Sequence, residues 1–184
     1  MSIDLHVTRE SLDPHMSALR ALPTDEGTLE LIVVRPVEGE RETPDRGELT
    51  IEEGLVGDRW KPRIDGDGRP DRHNQLTIAS SHLLALIAEA DRWPLAGDNL
   101  VVDIGLDKES LPAGSRLQIG DTAIVEISEE PHTGCAKFSA RFGSDALKFI
   151  NSPEGRELRL RGTNARVIAP GTVSTGDAVK RIVL

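Results

Sequence analysis

The residues with the clearest chemical potential lie in one short segment, 131–137. It contains Cys135, the only cysteine of the 184 residues, with His132 three positions before it and Lys137 two positions after it. A thiolate is a nucleophile and a metal ligand, and nearby cations favour it over the thiol. A single cysteine excludes an intramolecular disulfide and a zinc site built from several thiolates. The segment therefore indicates either a reactive thiol or a small buried hydrophobic residue, which is what most free cysteines are.

The sequence on either side of Cys135 predicts the elements that would position it. Residues 122–128 are short and rich in β-branched side chains, which favours a strand, whereas residues 136–142 have the spacing of a short helix. Cys135 is thus expected at a strand-to-helix junction. Because a helix N-terminus and nearby cations both lower the pKa of a thiol, this location predicts a partly exposed thiolate.

Composition limits the class of protein. The formal net charge of −9 argues against a nucleic-acid binder, which would need a basic face. No apolar run approaches the roughly 20 residues of a membrane span, and the first residues lack the apolar centre of a signal peptide. We therefore expect a cytoplasmic protein with a reduced thiol and with neither a membrane nor a nucleic acid as its partner.

The pattern of predicted elements indicates a mainly β protein. Six to eight short strands, one clear mid-chain helix and Gly/Pro turns predict a closed or nearly closed β-barrel with a few helices; a doubly wound α/β sheet is the alternative. Residues 1–27 read as an N-terminal helical arm and residues 28–184 as the barrel domain. The predicted core residues are Leu29, Leu31, Val33, Val101, Ile119, Ile124, Ile127, Val167 and Ile182.

Two charged features could bind an anion. Residues 132–166 carry seven basic and three acidic side chains, a net charge of +4 within an acidic chain. Such a patch beside a lone cysteine predicts an anionic ligand next to a thiolate, although single arginines are more often paired with neighbouring acids. Asp58 and Arg59 follow a glycine-containing turn at 54–57 and could form either a structural ion pair or part of an anion site.

The order of these and other short motifs resembles the MOSC domain, the module also found at the C-terminus of molybdenum cofactor sulfurases. The similarity runs from about Leu29 to the C-terminus, and its pieces are specific as an ordered set. They are residues 54–59 (GLVGDR), 75–77 (QLT), 95–100 (LAGDNL), 111–117 (LPAGSRL), 131–137 (PHTGCAK), 161–162 (RG), 165–167 (ARV), 170–172 (PGT) and 176–177 (GD).

The resemblance implies a β-barrel-rich fold with one characteristic cysteine, a position that only Cys135 can fill here. It further implies binding of the molybdenum cofactor (molybdopterin), with Cys135 as catalytic residue and molybdenum ligand, in line with the affinity of soft metals for sulfur. The implied activities are reduction of N-hydroxylated compounds or cofactor sulfuration. The residues expected to bind the cofactor are Asp58, Arg59, His132, Thr133, Lys137, Arg141, Arg161 and Arg166. For Arg141, Arg161 and Arg166 we expect at least one direct contact to an anion near Cys135.

Departures from the larger family members leave several functions open. The chain is too short for the pyridoxal-phosphate desulfurase domain of the large sulfurases, so pyridoxal phosphate is associated with it only at family level. It has no second cysteine for an iron–sulfur cluster, so electrons or sulfur would come from a partner protein. The alternatives to cofactor binding are a sulfur carrier with a persulfide on Cys135, a transferase with Cys135 as nucleophile and His132 as base, and a non-catalytic interaction barrel with a structural cysteine.

Overall fold

The protein is described by a computed structural model that covers residues 6–64 and 66–183. The strands, in chain order, are β1 (Glu26–Ile32), β2 (Arg46–Thr50), β3 (Gly54–Leu55), β4 (Arg63–Ile64), β5 (Pro70–Asp71), β6 (Leu76–Ser80), β7 (Leu100–Val102), β8 (Arg116–Ile119), β9 (Ala123–Ile127), β10 (Thr163–Ala169), β11 (Gly171–Ser174) and β12 (Ala178–Ile182). The α-helices are α1 (Arg9–Leu12), α2 (Met16–Arg20), α3 (Ser81–Ile87), α4 (Ala136–Phe142), α5 (Ser144–Ile150) and α6 (Pro153–Glu157), and short 3-10 helices span Asp13–His15 and Ala90–Ala96.

Seven of these strands form a closed barrel in the order β1-β12-β8-β9-β10-β6-β7, with β7 returning to β1. All neighbours are antiparallel except β6 and β7, which are parallel. A second sheet of β11, β2 and β3 and the β4–β5 hairpin lie outside this ring. The predicted closed, mainly β barrel with a few helices is therefore confirmed. The doubly wound alternative is wrong, because only one pair of barrel strands is parallel and helices do not alternate with the strands.

The barrel interior is filled by aliphatic side chains that alternate along each strand. In β9, Val125 and Ile127 face inward and are buried, whereas Ile124 is only half-buried because successive strand residues point to opposite faces. The prediction that Ile124 belongs to the core is therefore wrong, and Ile182 on β12 is likewise half-buried. The predicted core residues that do lie in the barrel interior are Leu29, Ile119, Ile127 and Val167.

A second hydrophobic cluster lies between the outside of the barrel and the helices. Val101 of β7 belongs to it rather than to the barrel interior, and Leu31 packs against it while remaining half-buried. Leu31 does not share the inward face of Leu29 because the register of β1 against β7 shifts between these two residues. Val33 is fully buried, as predicted. All three phenylalanines of the chain belong to this cluster and fasten α4 and α5 to the barrel: Phe138, Phe142 and Phe149.

The N-terminal arm packs on this same cluster through Leu12 and Leu19. Within the predicted range 1–27 the described residues form two short helices joined by a 3-10 turn, and β1 already begins at Glu26; residues 1–5 of the prediction lie outside the described residues. In the part of the chain that the structure describes, none of the helices has the length and apolar character needed to cross a bilayer.

Candidate functional site

Cys135 lies at the junction between the segment that follows β9 and helix α4, as its sequence context predicted. It is the N-cap residue of α4 and is exposed. Its pKa is lowered, chiefly by the backbone N–H of Phe138. Burial opposes this effect, and the N–H of Lys137 and the charges of Arg161 and Arg141 add to it. The thiolate is thus favoured by the first turn of a helix and by two arginines.

A side-chain clamp holds the residue that precedes the cysteine. The side chain of Asn151 accepts a hydrogen bond from Gly134 N (3.1 Å) and donates one to Gly134 O (3.2 Å). A β-carbon on Gly134 would come within 2.6 Å of Leu147 and 2.7 Å of Ile150, so only glycine allows this close approach to α5. The position of Cys135 is therefore set by α5 and the residue that follows it as well as by its own helix.

The turn formed by residues 95–97 organises the cations around the cysteine. Its three successive carbonyl groups accept hydrogen bonds from Arg141 Nη1 (2.7 Å), Arg161 Nη2 (3.0 Å) and Arg35 Nη1 (2.9 Å), in that order. The turn ends at Gly97, whose φ of +82° lies in the left-handed region. Three arginines that are far apart in sequence are in this way directed by one backbone segment.

Asp98, which follows this turn, is a fully buried carboxylate. Arg161 Nη1 contacts its two oxygens at 2.8 and 2.7 Å, and His132 Nε2 lies 3.0 Å from Oδ1. Burial raises the pKa of Asp98, but the charge of Arg161 and the contacts with His132 outweigh it and hold the pKa at about 2. Burial and Arg161 lower the pKa of His132, with Asp98 opposing them. An ionised Asp98 beside a neutral His132 places the imidazole proton on Nε2, so His132 donates to Asp98 and Nδ1 is left as an acceptor.

Asp58 and Arg59 do not pair with each other. Asp58 is buried and accepts two hydrogen bonds from the Arg35 guanidinium, at 2.9 Å to Oδ1 and 2.7 Å to Oδ2, as well as one from the Arg35 backbone N–H. Arg35 Nη2 also donates to Asn99 Oδ1 (3.1 Å). Asp58 therefore forms a structural ion pair with Arg35, whereas the pair of Asp58 with Arg59 that the sequence suggested does not form.

Arg41 is a half-buried cation of this region. Its Nε atom is buried and has no hydrogen-bond partner among the described residues, although Nη1 donates to Gly39 O at 3.2 Å. Its pKa is lowered first by burial and then by the positive charges of Arg141, Arg35 and Arg59. These four arginines lie close enough to repel one another, and we call them the arginine cluster. Such a group of positive charges can attract an anion.

Two cavities flank the chain segment that leads to Cys135. The smaller, of about 340 Å³, lies beside Arg35 and Arg59 and includes the indole of Trp60, whose Nε1 donates to Asn74 Oδ1 at 3.1 Å. The larger, of about 590 Å³, lies towards α6 and is lined by Arg156, Arg159 and Arg161, among others. His132 and Glu130 line both cavities, whereas Cys135 lines neither. The thiol is thus an exposed group beside the cavities rather than inside one.

The remaining predicted site residues lie in different parts of the molecule. Thr133 lines the larger cavity, and Lys137 forms an exposed ion pair with Glu38 at 2.8 Å, close to the cysteine in sequence. Arg166 pairs with Glu126 (2.6 Å) on the outer face of β10 and β9, lines neither cavity and is not among the cations that lower the pKa of Cys135. Arg141 and Arg161 are brought near Cys135, whereas Arg166 is not.

Sequence reasoning missed four residues that build the site: Arg35, Arg41, Asp98 and Asn151. Arg35 and Arg41 lie in a charged loop outside the basic stretch, so local charge counting could not find them. The 95–100 motif did contain a signal, because its Gly97-Asp98 pair combines a left-handed position with a carboxylate next to a buried strand. Its role became visible only when three arginines were seen to meet there.

The chain is a mainly β protein with a closed, mostly antiparallel barrel. Its candidate site is a single exposed cysteine that caps a helix beside a group of arginines. The MOSC domain matches residues 69–180, more than half of the chain. The chain therefore belongs to the MOSC domain family.

Several solved structures share this fold. The YuaD protein from Bacillus subtilis is 20% identical with a TM-score of 0.59, and the similarity covers 85% of this chain and 95% of that one. YiiM from Escherichia coli is 24% identical with a TM-score of 0.54, covering 85% and 70%. YiiM from Geobacillus stearothermophilus is 19% identical with a TM-score of 0.52, covering 85% and 75%. At these identities the likeness shows the fold alone. The curated proteins contain no match to the chain.

Proposed function

We propose that this MOSC domain protein binds the molybdenum cofactor, with Cys135 as the protein ligand to molybdenum and the arginine cluster as the site of the cofactor phosphate. The observation that carries the proposal is the buried, unpartnered Arg41 Nε within a group of mutually repelling arginines. A phosphate would satisfy this donor and offset the repulsion, because guanidinium groups bind phosphate through paired, charge-assisted hydrogen bonds.

The donor set fits the metal as well as the phosphate. Cys135 is exposed and its thiolate is favoured at the N-terminus of α4, so a soft sulfur ligand is available without rearrangement of the core. Arg141 acts on both parts of the site, since its charge lowers the pKa of Cys135 and also that of Arg41. The cofactor, when bound, supplies a metal centre that can exchange electrons or sulfur with a substrate.

In this proposal, residues of the chain support reduction of an N-hydroxylated compound or sulfuration of the cofactor by positioning charged groups and by transferring a proton. Asp58 holds Arg35 in place, and Asp98 with Arg161 holds His132 in one tautomer. The free Nδ1 of a neutral His132 can accept a proton and pass it on, which loss of a hydroxyl group as water requires. In this proposal a partner protein supplies the electrons or the sulfur, because the sequence has no second cysteine.

A sulfur carrier is the second candidate, favoured by the exposure of Cys135. An exposed thiolate can attack the outer sulfur of a persulfide on a donor protein, which breaks the S–S bond of the donor, releases its thiolate and leaves a persulfide on Cys135; this requires no bound metal. Mass spectrometry of the intact protein after incubation with a sulfur donor would show an increase of one sulfur atom on the wild type and none on Cys135→Ala.

The experiment that tests cofactor binding is the molybdenum content of protein produced in a host that makes the cofactor. We expect close to one molybdenum per chain in the wild type, less than a tenth of that in Cys135→Ala, and a clear loss in Arg41→Gln. Arg166→Gln is the matched control, because it removes an arginine that pairs with Glu126 away from the cysteine. A wild type with no more molybdenum than Cys135→Ala would refute the proposal.

A further inference from the structure

We propose that the larger cavity, lined by Arg159 and separated from the arginine cluster by the segment that contains His132, is a binding site for a small organic carboxylate. The inference does not rest on the cofactor proposed above, although His132 lines both cavities. The cavity has a volume of about 590 Å³, within the range of small-molecule sites in proteins. It is formed by the loops before β8 and after β9 together with α6 and the residues that follow it.

Arg159 is the residue of this cavity that indicates an anionic ligand. It is the one non-glycine residue with a positive φ (+46°) that occurs between residues 6 and 183 as far as the structure describes them. This left-handed residue ends α6 in a Schellman motif, in which Arg159 N donates to Arg156 O at 3.3 Å and Leu160 N donates to Gly155 O at 2.8 Å, so the helix end fixes the place of Arg159. Its guanidinium is fixed by Nη1, which donates to Leu106 O (3.3 Å) and Leu111 O (2.5 Å).

The charge of Arg159 is not neutralised by a direct partner. Burial lowers its pKa, and Asp107 and Glu157 oppose this only from a distance, since no carboxylate of the described residues forms an ion pair with it. Glu157 is instead paired with Lys108 at 2.9 Å. A half-buried guanidinium whose Nε and Nη2 make no hydrogen bond to the described residues is a ready partner for a carboxylate.

A second arginine adds positive charge to the same side of the cavity. Arg156 of α6 is exposed, lines the cavity and makes no ion pair with the described residues. Its backbone carbonyl accepts the N–H of Arg159, which joins the two arginines through one turn of chain. Two guanidinium groups on one wall suit a planar acid group, which guanidinium binds in a paired fashion.

The rest of the lining selects the kind of anion. Pro112 and Ala113 are exposed and offer an apolar surface for the carbon part of a ligand. Glu129 and Glu130 line the same cavity and would repel a second negative charge, which disfavours a phosphate dianion and favours a monoanion. The combination therefore fits an organic acid with one carboxylate and a compact apolar part.

The test uses benzoate as the probe and benzamide as its uncharged counterpart. Each is titrated into ¹⁵N-labelled full-length protein while amide shifts are followed by NMR. We expect benzoate to bind with a Kd on the order of 1 mM, typical of so small a ligand, and to shift the amides of Ala113, Thr133, Gly155 and Gly162. Benzamide should bind at least fivefold more weakly. Benzamide binding as tightly as benzoate, or shifts centred on Arg41 and Arg59, would overturn the proposal.

Substitutions then assign the charge. Arg159→Asn removes the guanidinium and keeps a residue that tolerates positive φ, and we expect benzoate affinity to fall at least fivefold, with Arg166→Gln unchanged. If Arg159→Asn does not fold, Arg156→Gln decides in its place, since the Arg156 side chain is exposed and forms no ion pair with the residues that the structure describes. Unchanged affinity in the deciding variant would refute the site. The same titration in Cys135→Ala should match the wild type, which separates this inference from the cofactor proposal.

Discussion

At the scale of single residues, the site contains arginines that have the same side chain but different surroundings. Arg35 and Arg161 form ion pairs with carboxylates, whereas Arg41 and Arg59 form none with the residues that the structure describes. The first pair is therefore held by the fold, and the second pair is the one that the proposed cofactor phosphate would contact. All four guanidinium groups carry the same charge, so the two pairs can be told apart only by their ion-pair partners.

The state of Cys135 gives the first prediction at this scale. Because the N–H of Phe138 and the charges of Arg161 and Arg141 lower its pKa, the cofactor-free protein should react with iodoacetamide near neutral pH. The midpoint of the rate against pH should lie below the value for the unfolded chain, and Arg141→Gln should raise it. A thiol that resists alkylation until denaturant is added would contradict the exposure and the thiolate character described above.

The cost of removing the thiol is the second prediction. Cys135 is exposed and packs little, so Cys135→Ala should change the free energy of unfolding by less than about 1 kcal/mol. Chemical denaturation of the metal-free proteins measures this difference. A strong destabilisation would mean that the cysteine is structural, and the role proposed for it as a ligand would then fail.

At the scale of elements, the site is assembled from parts that each do one task. The 95–97 turn aligns three arginines, α4 presents the thiol, and Asn151 after α5 fixes the backbone in front of it. Gly162 lets the Arg161 segment approach β6, because a β-carbon there would lie 2.3 Å from Ile78 O. Distant substitutions can therefore change the chemistry of the cysteine without touching it.

Substitution of Asn151 tests whether the residue after α5 helps to position the thiol. Asn151→Ala removes both hydrogen bonds to Gly134, so we expect the segment before Cys135 to loosen and the alkylation rate at pH 7 to change severalfold, while the fold is retained. Ser144→Ala, on the exposed first turn of α5, is the control and should leave the rate unchanged. Equal rates in the wild type and Asn151→Ala would show that α4 alone positions the thiol.

At the scale of the whole molecule, an acidic protein carries a cationic site whose charges are tied into the fold by buried carboxylates. Asp98 lies between the barrel strand β7 and the arginines, and its contacts connect the barrel to the 131–137 segment. Global stability and the geometry of the site are therefore linked through one ionised group.

This linkage predicts an acid dependence of stability. The pKa of Asp98 is about 2 in the folded protein against an ordinary value of 3.8, so its contribution is complete above pH 3.8 and is lost as the pH falls towards 2. The difference corresponds to about 2 kcal/mol. Urea denaturation between pH 7 and pH 2 measures it.

Asp98→Asn provides the control for this dependence. It should destabilise the protein by about 3 kcal/mol or more at pH 7, because Arg161 would remain buried without its carboxylate. It should also flatten the part of the pH dependence that lies below pH 4. An unchanged acid profile in this variant would assign the effect to other carboxylates.

The sequence by itself determined the barrel, the cysteine at its strand-to-helix junction and the family, because these depend on local patterns: alternating strands, glycine turns and an ordered set of motifs. Core membership was predicted less well. Ile124 and Ile127 are an odd number of positions apart and cannot face the same side of a pleated strand, and the irregularity that turns Leu31 away from Leu29 has no sequence signal that we recognise.

Only the tertiary structure decided which charges form the site. Arg35, Arg41 and Asp98 come from loops after β1 and before β7. Asp98 meets Arg161, which lies 63 positions further along the chain, and Arg41 lies near Arg141, which lies 100 positions further along. Arg166 has the same local signal and lies elsewhere, paired with Glu126. A count of charges along the chain cannot separate these cases, because the closure of the barrel determines which side chains become neighbours and which are neutralised.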